Sequence, residues 1–249
     1  MRAQPEQQAP PVQRLRLRYA KRGRLRFTSH RDFSRAFERA IFRARVPMAY
    51  SSGFNPHPRI SYAGASPTGA ASEAEYAELA LAREVDPEQI RADLDAALPD
   101  GLDVLEAVVS AGGALADRLE ASRWEIELPG VSPQQLGGAV DALLAADTVE
   151  VERMTKKGLR TFDVRAAVVD AGAAACPAHG ETCAILALVL RHGTPSVRPD
   201  DVLAGLRNAA GLSIPAAAVA RRLEQGPLSR DGTVGDPLAP DRDAAGRGR

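Results

Sequence analysis

Two short stretches in the first quarter of the chain hold residue types that build anion-binding or proton-transfer sites. The first is Tyr50-Ser51-Ser52-Gly53-Phe54-Asn55-Pro56-His57-Pro58-Arg59. Prolines fix the backbone on both sides of His57, and Gly53 permits a conformation closed to other residues. A stiff loop carrying Tyr50, Ser51, Asn55, His57 and Arg59 suits ligand binding or proton transfer. The plainer reading is a rigid turn whose His and Asn satisfy backbone groups. The second stretch is Ser29-His30-Arg31-Asp32. Ser29 three residues before Asp32 resembles a capping box, with Asp in place of the usual Glu. Free N–H groups at a helix start hold phosphate or carboxylate, and His30 and Arg31 would add charge. The plainer reading here is capping alone. If the two stretches meet at one end of a sheet, His30 and His57 form a single anion site.

The helix expected from about Arg31 to Arg45 stops before Pro47. Phe33, Phe37 and Ile41 recur every fourth residue and form a core stripe. Arg35, Arg39 and Arg43 recur at the same step, roughly 200° around the helix. Residues 14–59 hold 13 Lys/Arg against two acids, so a chain of net charge zero carries a strongly basic segment. Such segregation suits an anionic partner, or reflects only an Arg-rich composition. Aromatics make up 4% of the chain, and Phe33 and Phe37 are committed to the core. Stacking of a single strand is therefore poorly supported, and backbone and shape recognition of folded RNA is the better version. An acidic protein surface is the other reading.

Cys176-Pro-Ala-His179-Gly-Glu181-Thr-Cys183 offers three zinc ligands and one oxygen donor, a weak pattern. Buried free cysteines are the commoner outcome. Two cysteines cannot make a disulfide framework or a four-thiolate iron–sulfur cluster. No phosphate-binding glycine loop, H-E-x-x-H or G-x-S-x-G pattern occurs. Glu73 and Glu75 read as a solvated strand face. No metal and no cofactor is assigned. The polar start is not a secretory signal, and no apolar run is long enough to span a membrane, so a cytoplasmic protein is expected.

These residues must be positioned by a regular frame. Arg14–Tyr19 alternates apolar and basic residues, as in a half-buried strand. A tight turn or a bulge follows at Lys21–Gly23, then the Arg31–Arg45 helix. A strand broken near Gly53–Pro58, a strand over 74–82, a helix opened by Pro87 and a strand over 102–109 complete a β-α-β-β-α-β order. Residues 120–225 repeat the theme. RWEIELPG is a strand, and a helix follows, capped by Ser132. TVEVERMT and FDVRAAVVDAG are two strands, CAILALVLRHG is another, and RPDDVLAGLRNAAG is a helix. The expected fold is α+β, with two tandem ferredoxin-like (βαββαβ) sandwich units over 14–112 and 120–225. Residues 1–13 and 226–249 are expected to be disordered, being polar and rich in Gly and Pro.

The pieces Ser29-His30-Arg31-Asp32, Arg35, Arg39-Ala40, Pro47, Tyr50-Ser51, Gly53-Phe54-Asn55-Pro56-His57-Pro58, Pro67, Gly69 and Ser72-Glu73-Ala74-Glu75-Tyr76 closely resemble the signature of the bacterial radical SAM-linked proteins. That family occurs alone or fused to the C-terminus of radical SAM proteins. Thr28, Arg31 and Phe33 depart from its usual residues. The resemblance implies association with a radical SAM protein. It also implies an RNA or ribosome-related setting, because relatives are encoded near a ribonuclease and ribosomal-protein genes. It implies no known reaction, and the cysteine triplet of a radical SAM enzyme is missing. The leading expectation is therefore a non-catalytic accessory partner that positions an RNA through a basic surface. An RNA-processing or RNA-modifying enzyme using His30 or His57, and a simple RNA-binding module, are the alternatives.

Overall fold

The structure, a computed structural model, describes residues 7–155, 158–177 and 180–247. The chain divides into two compact units. The first runs to Asp117 and resumes at Pro237; the second runs Arg118–Asp236.

The first unit holds β1 (Gln13–Lys21), α1 (His30–Arg43), β2 (Ile60–Ala63), β3 (Ala71–Leu81), α2 (Pro87–Ala97) and β4 (Val104–Val109). Its strands pair antiparallel in the order β4-β1-β3-β2. The alternation of β1 sends Leu15, Leu17 and Tyr19 into a core shared with Phe33, Phe37 and Ile41 of α1 and Ile90 and Leu94 of α2. Each such side chain removed from water contributes roughly 1.5–3 kcal/mol. Ser29 caps α1, its hydroxyl accepting the Asp32 amide at 3.2 Å and donating to the Asp32 carboxylate at 2.7 Å. The helix closes where Arg45 takes a left-handed φ of 52° and the Val46 amide reaches back to the Ile41 carbonyl.

The second unit holds β5 (Ala121–Pro129), α3 (Pro133–Ala145), β6 (Glu150–Thr155), β7 (Gly158–Asp163), β8 (Val168–Cys176), β9 (Gly180–Arg191), α4 (Pro199–Ala210) and β10 (Val219–Gly226). Its sheet is antiparallel in the order β10-β5-β9-β8, and β6 and β7 form a separate ribbon. Ser132 and Gln135 make a full capping box, with Pro133 at the first helical position. The single strand expected through FDVRAAVV is instead two. A 3-10 turn at Arg165–Ala167 separates them, because the Asp163 carboxylate accepts the Val149 and Arg165 amides.

Composition also misjudged the end of the chain. Residues 226–247 carry a Leu228–Val234 bridge and α5 (Ala239–Arg247) where disorder was expected. The reason lies in the first unit, where Leu238 and Asp241 are buried and Asp241 accepts two bonds from the Arg16 guanidinium. Architecturally the protein is α+β with antiparallel sheets and, among the described residues, five α-helices.

Candidate functional site

The basic residues of the first unit separate into two populations. On β1 they are engaged. Arg16 is fully buried, bonded to Glu78, Asp241 and the Gly112 and Gly113 carbonyls. Arg14 pairs with Glu78, and Arg18 donates to the Glu73 carbonyl. Arg22 pairs with Glu73 and Asp103. Its guanidinium is held above its ordinary pKa chiefly by the Glu73 hydrogen bond. The strand arginines were expected to form part of an anion-binding face. Carboxylates from β3, α5 and the turn before β4 neutralise Arg14, Arg16 and Arg22, while Arg18 meets a backbone carbonyl.

The arginines of α1 stay in solvent. Arg31, Arg35 and Arg39 are exposed and have no carboxylate partner among the described residues. Arg35, Arg39 and Arg43 line a groove of about 830 Å³ with Glu38, Phe42 and Ala96–Pro99 from the end of α2. Arg43 also donates to the Ala97 carbonyl. Phe42, at 83% exposure, lies bare in this groove. Phe27, Phe54 and Tyr50 are exposed as well. The aromatic count had suggested that few were available for stacking. The core stripe accounts for Phe33 and Phe37, but Phe42 falls outside it.

The loop of residues 50–59 closes on itself. The Ser51 amide donates to the His57 carbonyl at 2.9 Å, and the Ser51 hydroxyl accepts the His57 amide at 3.1 Å. Tyr50 bridges Pro58 across the neck. Asn55, His57 and Arg59 are exposed. No hydrogen bond, ion pair or ring contact among the described residues joins His57 to His30.

His30 instead stands at a different feature. Its ring meets Tyr62 edge-on at 5.1 Å and lines a small cell of about 10 Å³ with Tyr19, Lys21, Thr28, Phe33, Ala65, Ser66 and Glu75. Lys21 is 5% and Glu75 2% exposed. Sequence reasoning had put Glu75 on a solvated face. The strand register explains the correction, since Glu75 lies opposite Tyr19 and shares the parity of Ala77, Leu79 and Leu81. A register shift between Tyr19 and Lys21 then sets Lys21 against Ser72. Glu75 accepts the Ser66 amide at 3.2 Å, and the Lys21 ammonium approaches the Pro67 carbonyl at 3.5 Å. The Ser66 hydroxyl is buried with no hydrogen-bond partner among the described residues. Burial pushes the Tyr62 phenol up to about 12, partly offset by Ser34 and reinforced by Glu38. A buried ammonium and carboxylate beside a reachable imidazole is a frequent mark of a functional site.

Cys176 and Cys183 are joined by a disulfide with Cα atoms 5.4 Å apart, so neither offers a thiolate to zinc. The pairing was not foreseen; it follows from the return of β9 alongside β8, which sets the two ends of the connection side by side. His179, the third proposed ligand, lies outside the described residues. No group of three or more metal-ligating side chains occurs among the described residues, and no helix among them is long and apolar enough to cross a membrane.

Fold and site together define an α+β protein whose first unit presents a cationic, aromatic-bearing helix face and a small cell lined by His30, Lys21 and Glu75. Residues 14–199 match the family described as uncharacterized protein conserved in bacteria (DUF2344), and the chain belongs to it. No curated protein matches the chain. Among solved structures it is similar to an unknown protein from Galdieria sulphuraria, at 15% identity over 86% of this chain and 98% of that one, with a TM-score of 0.24. It is also similar to DyPB from Rhodococcus jostii RHA1, at 13% identity over 92% and 97% with a TM-score of 0.22. Likenesses of that size carry no argument about function.

Proposed function

We propose that the protein is a non-catalytic accessory partner of a radical SAM enzyme, and that its first unit holds an RNA through the α1 face. The carrying observation is the row Arg31, Arg35 and Arg39, exposed and free of carboxylate partners among the described residues, beside the bare ring of Phe42. Cations that contact phosphates release counterions, and an exposed aromatic gives a base a stacking surface. The strand orders β4-β1-β3-β2 and β10-β5-β9-β8 support a ferredoxin-like plan in each unit. The link to a radical SAM enzyme rests on the sequence resemblance alone. Two measurements test the proposal. RNA affinity should fall steeply between about 50 and 200 mM salt, and the protein should co-purify with a radical SAM protein. Salt-independent binding, or no association in any ligand state, would end it.

A second reading, an RNA-processing enzyme, is favoured by the Lys21–Glu75 cell beside His30 and not by His57, which among the described residues bonds to Ser51 alone. RNA cleavage abolished by His30→Ala but kept by His57→Ala would replace the first reading.

A further inference from the structure

We infer that the groove between α1 and α2 takes one unpaired base of a single-stranded RNA, stacked on Phe42. This rests on the RNA reading above and narrows its ligand to an unpaired strand.

The ring sets the first limit. Phe42 is 83% exposed and stands outside the core that Phe33, Phe37 and Ile41 build from the same helix. A bare ring of this size gains by being covered, and folding has not covered it. Ala36, Ala97 and Leu98, all half-buried, supply an apolar floor beside it. The volume of about 830 Å³ lies within the roughly 300–1,000 Å³ of small-ligand sites. A space of that order holds one nucleotide-sized group, and a duplex is too wide to enter it.

The cations set the second. Arg35 and Arg39 stand one turn apart on α1, about 6 Å along its axis, and Phe42 adjoins Arg39 three residues on. Both guanidiniums are exposed and have no carboxylate partner among the described residues. Arg43 donates to the Ala97 carbonyl and so ties α1 to the end of α2, which fixes the walls of the groove. Glu38 is the one carboxylate in the lining against three guanidiniums, so the groove is cationic. A polymer that fills it must offer a flat ring and an anion in alternation, which is the repeat of a nucleotide strand. A run of acidic side chains matches the guanidiniums and leaves the ring bare.

Strandedness follows from access. Within a duplex each base is covered by its neighbours, and taking one out costs unstacking. A free strand presents its bases without that cost, and an aromatic ring stacks on any of them. The low aromatic count favoured a folded RNA, but one ring placed in a groove suffices to select an unpaired base.

The test compares a short unstructured RNA, free and annealed to its complement, by fluorescence anisotropy at one low salt concentration. The wild-type protein should bind the free strand at least about tenfold more tightly. Phe42→Ala should weaken free-strand binding at least about fivefold and leave duplex affinity unchanged. Phe42→Tyr, which keeps the ring, should bind like the wild type. A polyglutamate peptide should need at least about tenfold more charge than unlabelled strand to displace the labelled one. Duplex bound as tightly as the free strand overturns the inference and leaves the RNA reading standing. So does a Phe42→Ala protein that keeps free-strand affinity or loses both forms equally. Displacement by polyglutamate at equal charge gives the groove to an acidic chain and overturns the inference as well. Binding of neither RNA removes the RNA reading and this inference together.

Discussion

The arginines of β1 and those of α1 are one residue type, a few positions apart, put to opposite uses. Arg16 has lost all contact with solvent and is matched by two carboxylates and two carbonyls. Arg35 and Arg39 reach into solvent with no carboxylate partner among the described residues. Surface charge alone cannot say which is which. What separates them is the partner set, because a guanidinium leaves water only where planar acceptors surround it. The first group holds the unit together, and the second is available to something outside it.

The comparison breaks most decisively at Asp241. Removing this carboxylate strands a buried guanidinium, so Asp241→Ala should destabilise the protein by about 3–5 kcal/mol in urea unfolding. An unchanged midpoint would mean that α5 is not an anchor of the first unit. The next effect is on binding. Arg31→Glu, Arg35→Glu and Arg39→Glu together should weaken RNA binding roughly 100-fold at low salt and reduce the salt slope. The urea midpoint should stay put. A lowered midpoint would put these arginines in the same class as Arg16. Arg22 lies between the extremes. Its side chain is 44% exposed, so Arg22→Ala should cost less than about 1 kcal/mol despite contacts to Glu73 and Asp103.

Much of this contrast was written in periodicities. The step of four in Phe33, Phe37 and Ile41 fixed the buried face of α1, and the offset arginines followed. The parity of Ala77, Leu79 and Leu81 also placed Glu75 on the buried face, yet its charge drew the opposite reading. Where pattern and residue type disagree, the pattern was the better guide, and the disagreement itself marked the cell. Other features depend on contacts remote in sequence. Asp241 meets Arg16 across 225 positions, and no local signal in a Gly/Pro-rich tail announces it. The closure of the cell by Ser66 likewise depends on where the loop before β3 comes to rest. Phe42 could have been found, since it falls between the core stripe and the arginine row.

Histidines repeat the contrast more gently and give the smallest expected effect. His30 and His57 are exposed, whereas His192 in the second unit is half-buried. Its Nδ1 faces the Leu119 carbonyl at 2.8 Å and must donate, so Nε2 is the acceptor for the Ser122 hydroxyl at 3.0 Å. The Ser122 oxygen in turn accepts the Trp124 indole N–H at 2.8 Å. Burial lowers the His192 pKa below its ordinary 6.5; the Leu119 bond opposes this and the nearby Arg222 charge adds to it. The unfolded chain therefore binds this proton more readily than the folded one. Stability from neutral His192 is complete above about pH 6.5 and declines as pH falls toward the lower folded value. Protonation also forces the Ser122 hydroxyl to turn away from Nε2, which alters the environment of the chain's single tryptophan. Trp124 fluorescence should titrate with a midpoint below 6.5, alongside a falling melting temperature, and His192→Gln should remove both. A midpoint above 6.5 would mean that the ring carries its proton in the folded state, which would put His192 with the paired cations of β1.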